Sequence, residues 1–158
     1  MSTTTYTGLA AGFAFTGVSG ATGLASLGSG AQATLGPFDN TVATLAGPAY
    51  EFADLFINLG TATTLGTTAP VNVQACAIFA EDGTNYETSY AASGQLYPLW
   101  SVRQASFPNS GVSASVIIVP SIPLRSSLGK IIVLNNTGVA FPASGVTASL
   151  YGYRGELA

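Results

Sequence analysis

From Tyr50 onward, one stretch after another places apolar residues at alternate positions. A period of two dictates extended chain with one face buried. FADLFINL (Phe52–Leu59) sets Ala53, Leu55, Ile57 and Leu59 on one face, and VNVQACAIFA (Val71–Ala80) does the same with Val71, Val73, Ala75, Ala77 and Phe79. VSASVIIV (Val112–Val119) gives Val112, Ala114, Val116 and Ile118 one face, with Ser113 and Ser115 opposite. KIIVLN (Lys130–Asn135) is a short strand whose Ile131–Leu134 are continuously apolar. VTASLYGY (Val146–Tyr153) turns Val146, Ala148 and Leu150 inward and Thr147, Ser149, Tyr151 and Tyr153 outward. No long amphipathic helical pattern competes with these strands.

The punctuation agrees. Asp82-Gly83 is a strong hairpin dipeptide, and Asn109-Ser110-Gly111, Asn136-Thr137-Gly138 and Ser144-Gly145 fall between strand candidates. Pro98, Pro108, Pro120, Pro123 and Pro142 fit loops or strand edges. Short strands with turns at this spacing predict an all-β sandwich or barrel. The chain of 158 residues suits one domain, with or without an appendage.

The sequence up to about Pro48 reads differently. It is rich in Gly, Ala, Ser and Thr, and its phrases ATLGPF (Ala33–Phe38) and ATLAGPAY (Ala43–Tyr50) each read as a short strand closed by a turn. ATTLGTTAP (Ala62–Pro70) is a third, partial echo, after which the period fails. The predicted organisation is an extended N-terminal arm with short strands over 1–48 and a β-sandwich domain over 49–158. The opening apolar run lacks the basic residues of a secretory signal. Gly8, Gly12, Gly17, Gly20 and Gly23 make it a poor membrane helix. Phe13 and Phe15 are the arm's candidate contact residues.

Charge narrows the function. Charged residues make up 7% of the chain, against about 25% in ordinary soluble domains. Such a chain is covered by partners, or it owes its solubility to hydroxyls and amides. The net charge of −3, with Arg103, Arg125, Lys130 and Arg154 as the only cations, speaks against a nucleic-acid partner. Acids dominate before Arg103 and cations after it, a polarity that head-to-tail contact between copies could use.

Without histidine, a Ser-His-Asp triad, a Cys-His dyad and any His-bearing metal site are impossible. The single cysteine, Cys76, sits mid-strand and reads as a small buried or half-buried side chain. Glu81, Asp82, Asn85 and Glu87 are oxygen-bearing, but they do not match a calcium loop and equally make a solvated hairpin. A glycosidase-type carboxylate pair could be assembled from Glu51, Asp54 and Glu81, and nothing fixes their separation. Asn135-Asn136-Thr137 has the form of a glycosylation acceptor and reads more simply as a turn. No enzyme, metal or cofactor is expected. Tyr86, Tyr90, Tyr97, Trp100, Tyr151 and Tyr153 suit a protein interface, a carbohydrate-stacking surface or ordinary sheet faces.

Two segments carry a resemblance. LGKIIVLNNTGVAFPASGVTASLYGYRGE (Leu128–Glu156) is similar to the C-terminal hairpin of small structural proteins of tailed bacteriophages, and CAIFAEDGTNYET (Cys76–Thr88) to their central hairpin. YEFADLFINLG (Tyr50–Gly60) fits their opening strand. The resemblance implies an antiparallel, jelly-roll-like β-sandwich located on the phage head surface, a decoration or cement protein. The implied partners are the major capsid protein and other copies of the chain, in a homotrimer, with no nucleic acid and no membrane. The alternative is a head- or tail-associated module that binds a host receptor or carbohydrate. The outward stripe Thr147, Ser149, Tyr151 and Tyr153 is the leading candidate interface, with Tyr97, Trp100, Phe13 and Phe15 beside it.

Overall fold

A computed structural model describes residues 4–6, 23–41, 49–66, 71–88, 90–92, 95–97, 101–108 and 111–157. Its strands are β1 (Thr4–Tyr6), β2 (Gln32–Asp39), β3 (Phe52–Thr64), β4 (Asn72–Ala80), β5 (Tyr90–Ala92), β6 (Gln95–Tyr97), β7 (Arg103–Ser106), β8 (Ser113–Pro123), β9 (Leu128–Asn136), β10 (Thr147–Tyr153) and β11 (Gly155–Leu157). The described residues contain no helix. A three-stranded sheet, β10-β3-β8, and a four-stranded sheet, β2-β9-β4-β7, are both antiparallel and enclose one apolar core, which makes the protein an all-β sandwich. Two short ribbons, β1-β11 and β5-β6, are added to them.

The core is built by the predicted alternation. Ala53, Leu55, Ile57 and Leu59 of β3 are fully buried, and Val146 and Leu150 face them from the end of the chain. Val73, Ala75, Ala77 and Phe79 of β4 enter the same core from the opposite sheet. Phe79 stands edge-on to Phe38 with centroids 6.4 Å apart. Gly129 is required beneath Phe38, because a Cβ there would fall inside the ring.

Every residue of β4 is buried, which alternation alone does not demand. Its second face is covered too. Cys76 and Ile78 join Ile132, Leu134 and Leu96 in a smaller cluster under the β5-β6 ribbon. Gln74 fastens that ribbon: its Oε1 accepts from the Leu96 backbone N–H and from Gln95 Nε2, both at 2.9 Å.

Two expectations are corrected. ATLGPF is not a strand closed by a turn. Gly36 and Pro37 lie within β2, at a register shift between Leu35 and Phe38 opposite β9, joined by a cis peptide bond. A bulge on an edge strand accommodates proline, which owes no ladder bond there. The boundary at residue 48 is also displaced for the residues described. Leu24, Leu27, Leu35 and Phe38 belong to the main core, and β2 is a full member of the four-stranded sheet, so 23–41 is sandwich and not appendage. Asn40, fully buried, holds the far side of the following connection. Its Nδ2 donates to the carbonyls of Tyr50 (2.9 Å) and Arg125 (2.8 Å), and its Oδ1 accepts from Tyr50 N–H (3.0 Å). Residues 7–22, including Phe13 and Phe15, lie outside the described residues, as does most of the second echo.

The third correction concerns β8. Val116 and Ile118 are 45% and 44% exposed, while Ile117 and Val119 are fully buried. The pairing of β8 with β3 jumps from Thr63↔Ala114 to Asn58↔Val116, with Gly60 in the left-handed region (φ 75°) inside the bulge. Crossing a bulge exchanges the faces of a strand. The phase set by Ser113 and Ser115 therefore does not reach Val116.

Candidate interface on the three-stranded sheet

The outer face of the three-stranded sheet gathers the predicted stripe with residues from two other strands. Register places Thr147 beside Asn58 and Asn58 beside Val116; Ser149 beside Phe56 and Phe56 beside Ile118; and Tyr153 beside Phe52 and Phe52 beside Pro123. Thr147 is exposed, and Ser149, Tyr151 and Tyr153 are half-buried. Val116 and Ile118 are the only large exposed hydrophobic side chains among the described residues.

The aromatic part of this face is ordered by cross-strand contacts. Tyr151 stands edge-on to Phe56, with centroids 5.1 Å apart. Tyr153 stacks on Phe52 at 5.9 Å, and its hydroxyl shares a 2.9 Å hydrogen bond with Ser121 Oγ. The acid on these rows, Asp54, accepts the Ser121 backbone N–H at 2.8 Å. Ser121 has φ 57°, in the left-handed region, at the second bulge of β8, so Asp54 caps that bulge. At the margin, the Arg154 guanidinium lies 4.9 Å from the Tyr50 ring centroid, and its Nε donates to the Ala49 carbonyl. The result is a surface of β-branched, aromatic and hydroxyl side chains with one acid, Asp54, within it.

The other sequence candidates lie elsewhere. Tyr97, half-buried, ends β6 in the ribbon over the four-stranded sheet, and Trp100 lies outside the described residues. Arg125 Nη1 bridges Glu81 (3.0 Å) and Glu87 (2.9 Å) and packs over Phe79. Asp82 folds back on its own turn, accepting from Thr84 N–H, Asn85 N–H and Asn85 Nδ2. Hydrogen bonds from Asn85 and Thr84 hold its carboxyl down to about 2. Among the described residues no three His, Cys, Asp or Glu side chains come together as a metal site. Lys130 sits over Tyr86 at 4.0 Å. Arg125, Lys130 and Arg154 are thus each engaged within the chain, which weakens the idea of a free basic end.

Cys76 is fully buried, and burial pushes its thiol up to about 11 despite a hydrogen bond with Ser101. Asn135 is fully buried as well. Its Nδ2 donates to the carbonyls of Leu27 and Val139, both at 2.8 Å, and its Oδ1 accepts from the N–H and hydroxyl of Thr137. The amide nitrogen that glycosylation would need is occupied inside the fold, and Asn135 and Asn136 belong to β9, so the turn expected at Asn135-Asn136-Thr137 begins only after Asn136.

The sequence did not point to Phe52, Phe56, Val116 and Ile118 as members of this face. A signal was present for the first two: both occupy the outward phase of β3, where Asp54 and Asn58 are the polar residues. Comparison with protein-family models, with curated proteins and with solved structures finds no match to this chain. Fold and surface together define an all-β sandwich with an outer face of aromatic, β-branched and hydroxyl side chains that carries a single acid, Asp54, among the described residues.

Proposed function

We propose that this chain is a non-enzymatic structural protein of a virus particle. In this reading it is a capsid decoration or cement protein that binds the major capsid protein on the phage head and stabilises the shell. The observation that carries the reading is the outer face of the three-stranded sheet. Val116, Ile118, Phe56 and Tyr151 lie there in adjacent rows, and Asp54, the acid among them, is engaged by Ser121. Contiguous exposed apolar surface marks a site for macromolecular contact. Neutral protein interfaces use this mixture of aromatic and β-branched groups.

The path of the chain supports the same reading. From β2 to β10 it changes sheet at every connection except that between β4 and β7, which carries the β5-β6 ribbon. Such alternation supports reading the sandwich as jelly-roll-like, an architecture that recurs in viral capsid and lectin domains. A cement protein acts by adding contact across subunit joints. Repetition over a closed shell multiplies a modest contact through avidity.

A carbohydrate module would need an open ring face. Tyr153 is covered by Phe52 and tied to Ser121, and Tyr151 meets Phe56, so these rings favour a protein partner over a sugar. The decisive experiment is stoichiometry in purified particles, combined with binding of the isolated chain to shells stripped of it. Hundreds of copies per particle and saturable rebinding are expected. Absence from particles, or only a few copies with binding to glycans, overturns the assignment.

A further inference from the structure

We propose that β8, along Ser113–Ile118, pairs antiparallel with the same segment of a second copy of this chain, joining two three-stranded sheets across a two-fold axis. The proposal stands independently of the assignment to a virus particle. It starts from the edge. Among the described residues β8 is hydrogen-bonded as a strand to β3 alone, with β7 of the other sheet packed near it. Open edges are templates for further strands, and proteins guard them with charge, proline, bulges or brevity. Edge strand β2 is guarded by Pro37 and its bulge. The second half of β8 is guarded by Pro120, Pro123 and the bulge at Ser121. Ser113–Ile118 has no proline and no charge, as is also true of β10 at the other edge of the sheet, but among the described edge strands it alone exposes large hydrophobic side chains, Val116 and Ile118.

Charge selects a second copy as the occupant. The chain has a net charge of −3, so most approaches of two copies bring like charges together. Gly111–Leu124 contains no charged residue, and Glu81, Asp82 and Glu87 gather with Arg125 beyond the other end of β8. A strand lying antiparallel to its own copy is also self-complementary, as a two-fold contact requires.

The outer face of one copy is small. Strands rise ~3.3 Å per residue and lie ~4.8 Å apart, so the outer face of one copy measures roughly 23 Å by 14 Å. That is well below the ~800 Å² per partner of a standard stable interface. A two-fold axis between antiparallel strands stands perpendicular to the sheet, so both outer faces look the same way. Pairing therefore adds backbone hydrogen bonds and merges two small apolar faces into one surface of twice the extent.

Sedimentation equilibrium of the purified chain tests this. The expected mass is twice the 15.9 kDa of one chain. The double variant Val116→Lys/Ile118→Lys is expected to be monomeric with an unchanged circular dichroism spectrum. Thr147→Lys, on the same face but at the opposite edge strand, is expected to stay dimeric. Hydrogen exchange at the amides of 113–118 should accelerate at least tenfold in the double variant. A monomeric or trimeric wild-type chain overturns the proposal. So does a dimer that survives the double lysine substitution, or one that Thr147→Lys dissociates.

Discussion

Tyr151 on β10 meets Phe56 on β3 edge-on, with ring centroids 5.1 Å apart and planes at 81°. The two positions are diagonal neighbours in the register, since Phe56 lies opposite Ser149 and Tyr151 opposite Asp54. The pair fixes an aromatic ridge beside Ile118. An aromatic contact of this kind contributes about 0.5–1.5 kcal/mol beyond area burial. Tyr151→Asp is therefore expected to lower folding stability by about 1–2 kcal/mol. Binding to shells stripped of the chain should fall by more than tenfold. Urea unfolding and co-sedimentation measure the two effects, and equal proportional losses would return the ridge to being part of the core.

The inversion of β8 separates neighbouring residues. Ile118 is 44% exposed and Ile117 fully buried. Ile117→Ala is expected to cost about 2–5 kcal/mol through lost burial and the cavity left behind. Ile118→Ala is expected to stay within about 0.5 kcal/mol of wild type. Denaturant midpoints of the two variants decide the phase of the strand, and the reverse order would mean that Val116 and Ile118 face the core.

Asn135 satisfies four partners from a fully buried position, tying Leu27 near the start of the described core to Val139 after β9. Asn135→Ala leaves the Thr137 N–H without its partner, while the Leu27 and Val139 carbonyls keep the Phe141 N–H and the Thr137 hydroxyl. One buried unsatisfied donor costs about 1–3 kcal/mol, so a loss of that size is expected. Asn135→Asp cannot donate to the carbonyls and is expected to be at least as damaging near neutral pH. Thermal and urea unfolding check both variants.

Cys76 gives a dependence on alkaline pH. Its thiol is raised to about 11 in the folded chain from an ordinary value of 9.0, chiefly by burial. The unfolded chain therefore loses this proton first. The resulting stability is fully present below pH 9.0 and is lost as pH rises through about 11. Comparison of wild type with Cys76→Ala isolates the effect from tyrosine ionisation: the gap between them should shift against wild type over that window. In the native chain at pH 8 a thiol reagent should react slowly, and urea should release the reaction. Rapid native labelling would contradict the buried position.

Much of this fold is legible along the chain, for a local reason. Side-chain parity in a strand is fixed by the backbone, so β3, β4 and β10 declare their inner faces through Ala53-Leu55-Ile57, Val73-Ala75-Ala77 and Val146-Leu150. The outward phase of Thr147, Ser149, Tyr151 and Tyr153 follows by the same rule. The run Val116-Ile117-Ile118-Val119 offers equally apolar residues in both phases, so parity there is undetermined until β8 is registered on β3. Gly36-Pro37 reads locally as a turn, and only pairing with β9 makes it a bulge.

The sequence by itself determined the class of the protein. Period-two alternation, frequent turn residues, scarce charge and the lack of histidine specify an all-β domain with a sparsely charged surface and no histidine chemistry. Tertiary structure alone decided that β4 is covered on both faces and that residues 23–41 complete the core. It also placed Phe56, Tyr151 and Ile118 in adjacent rows and left one half of β8 with an unguarded edge. These are matters of register and coverage between strands far apart in the chain, set by long-range pairings and bulges that no local pattern encodes.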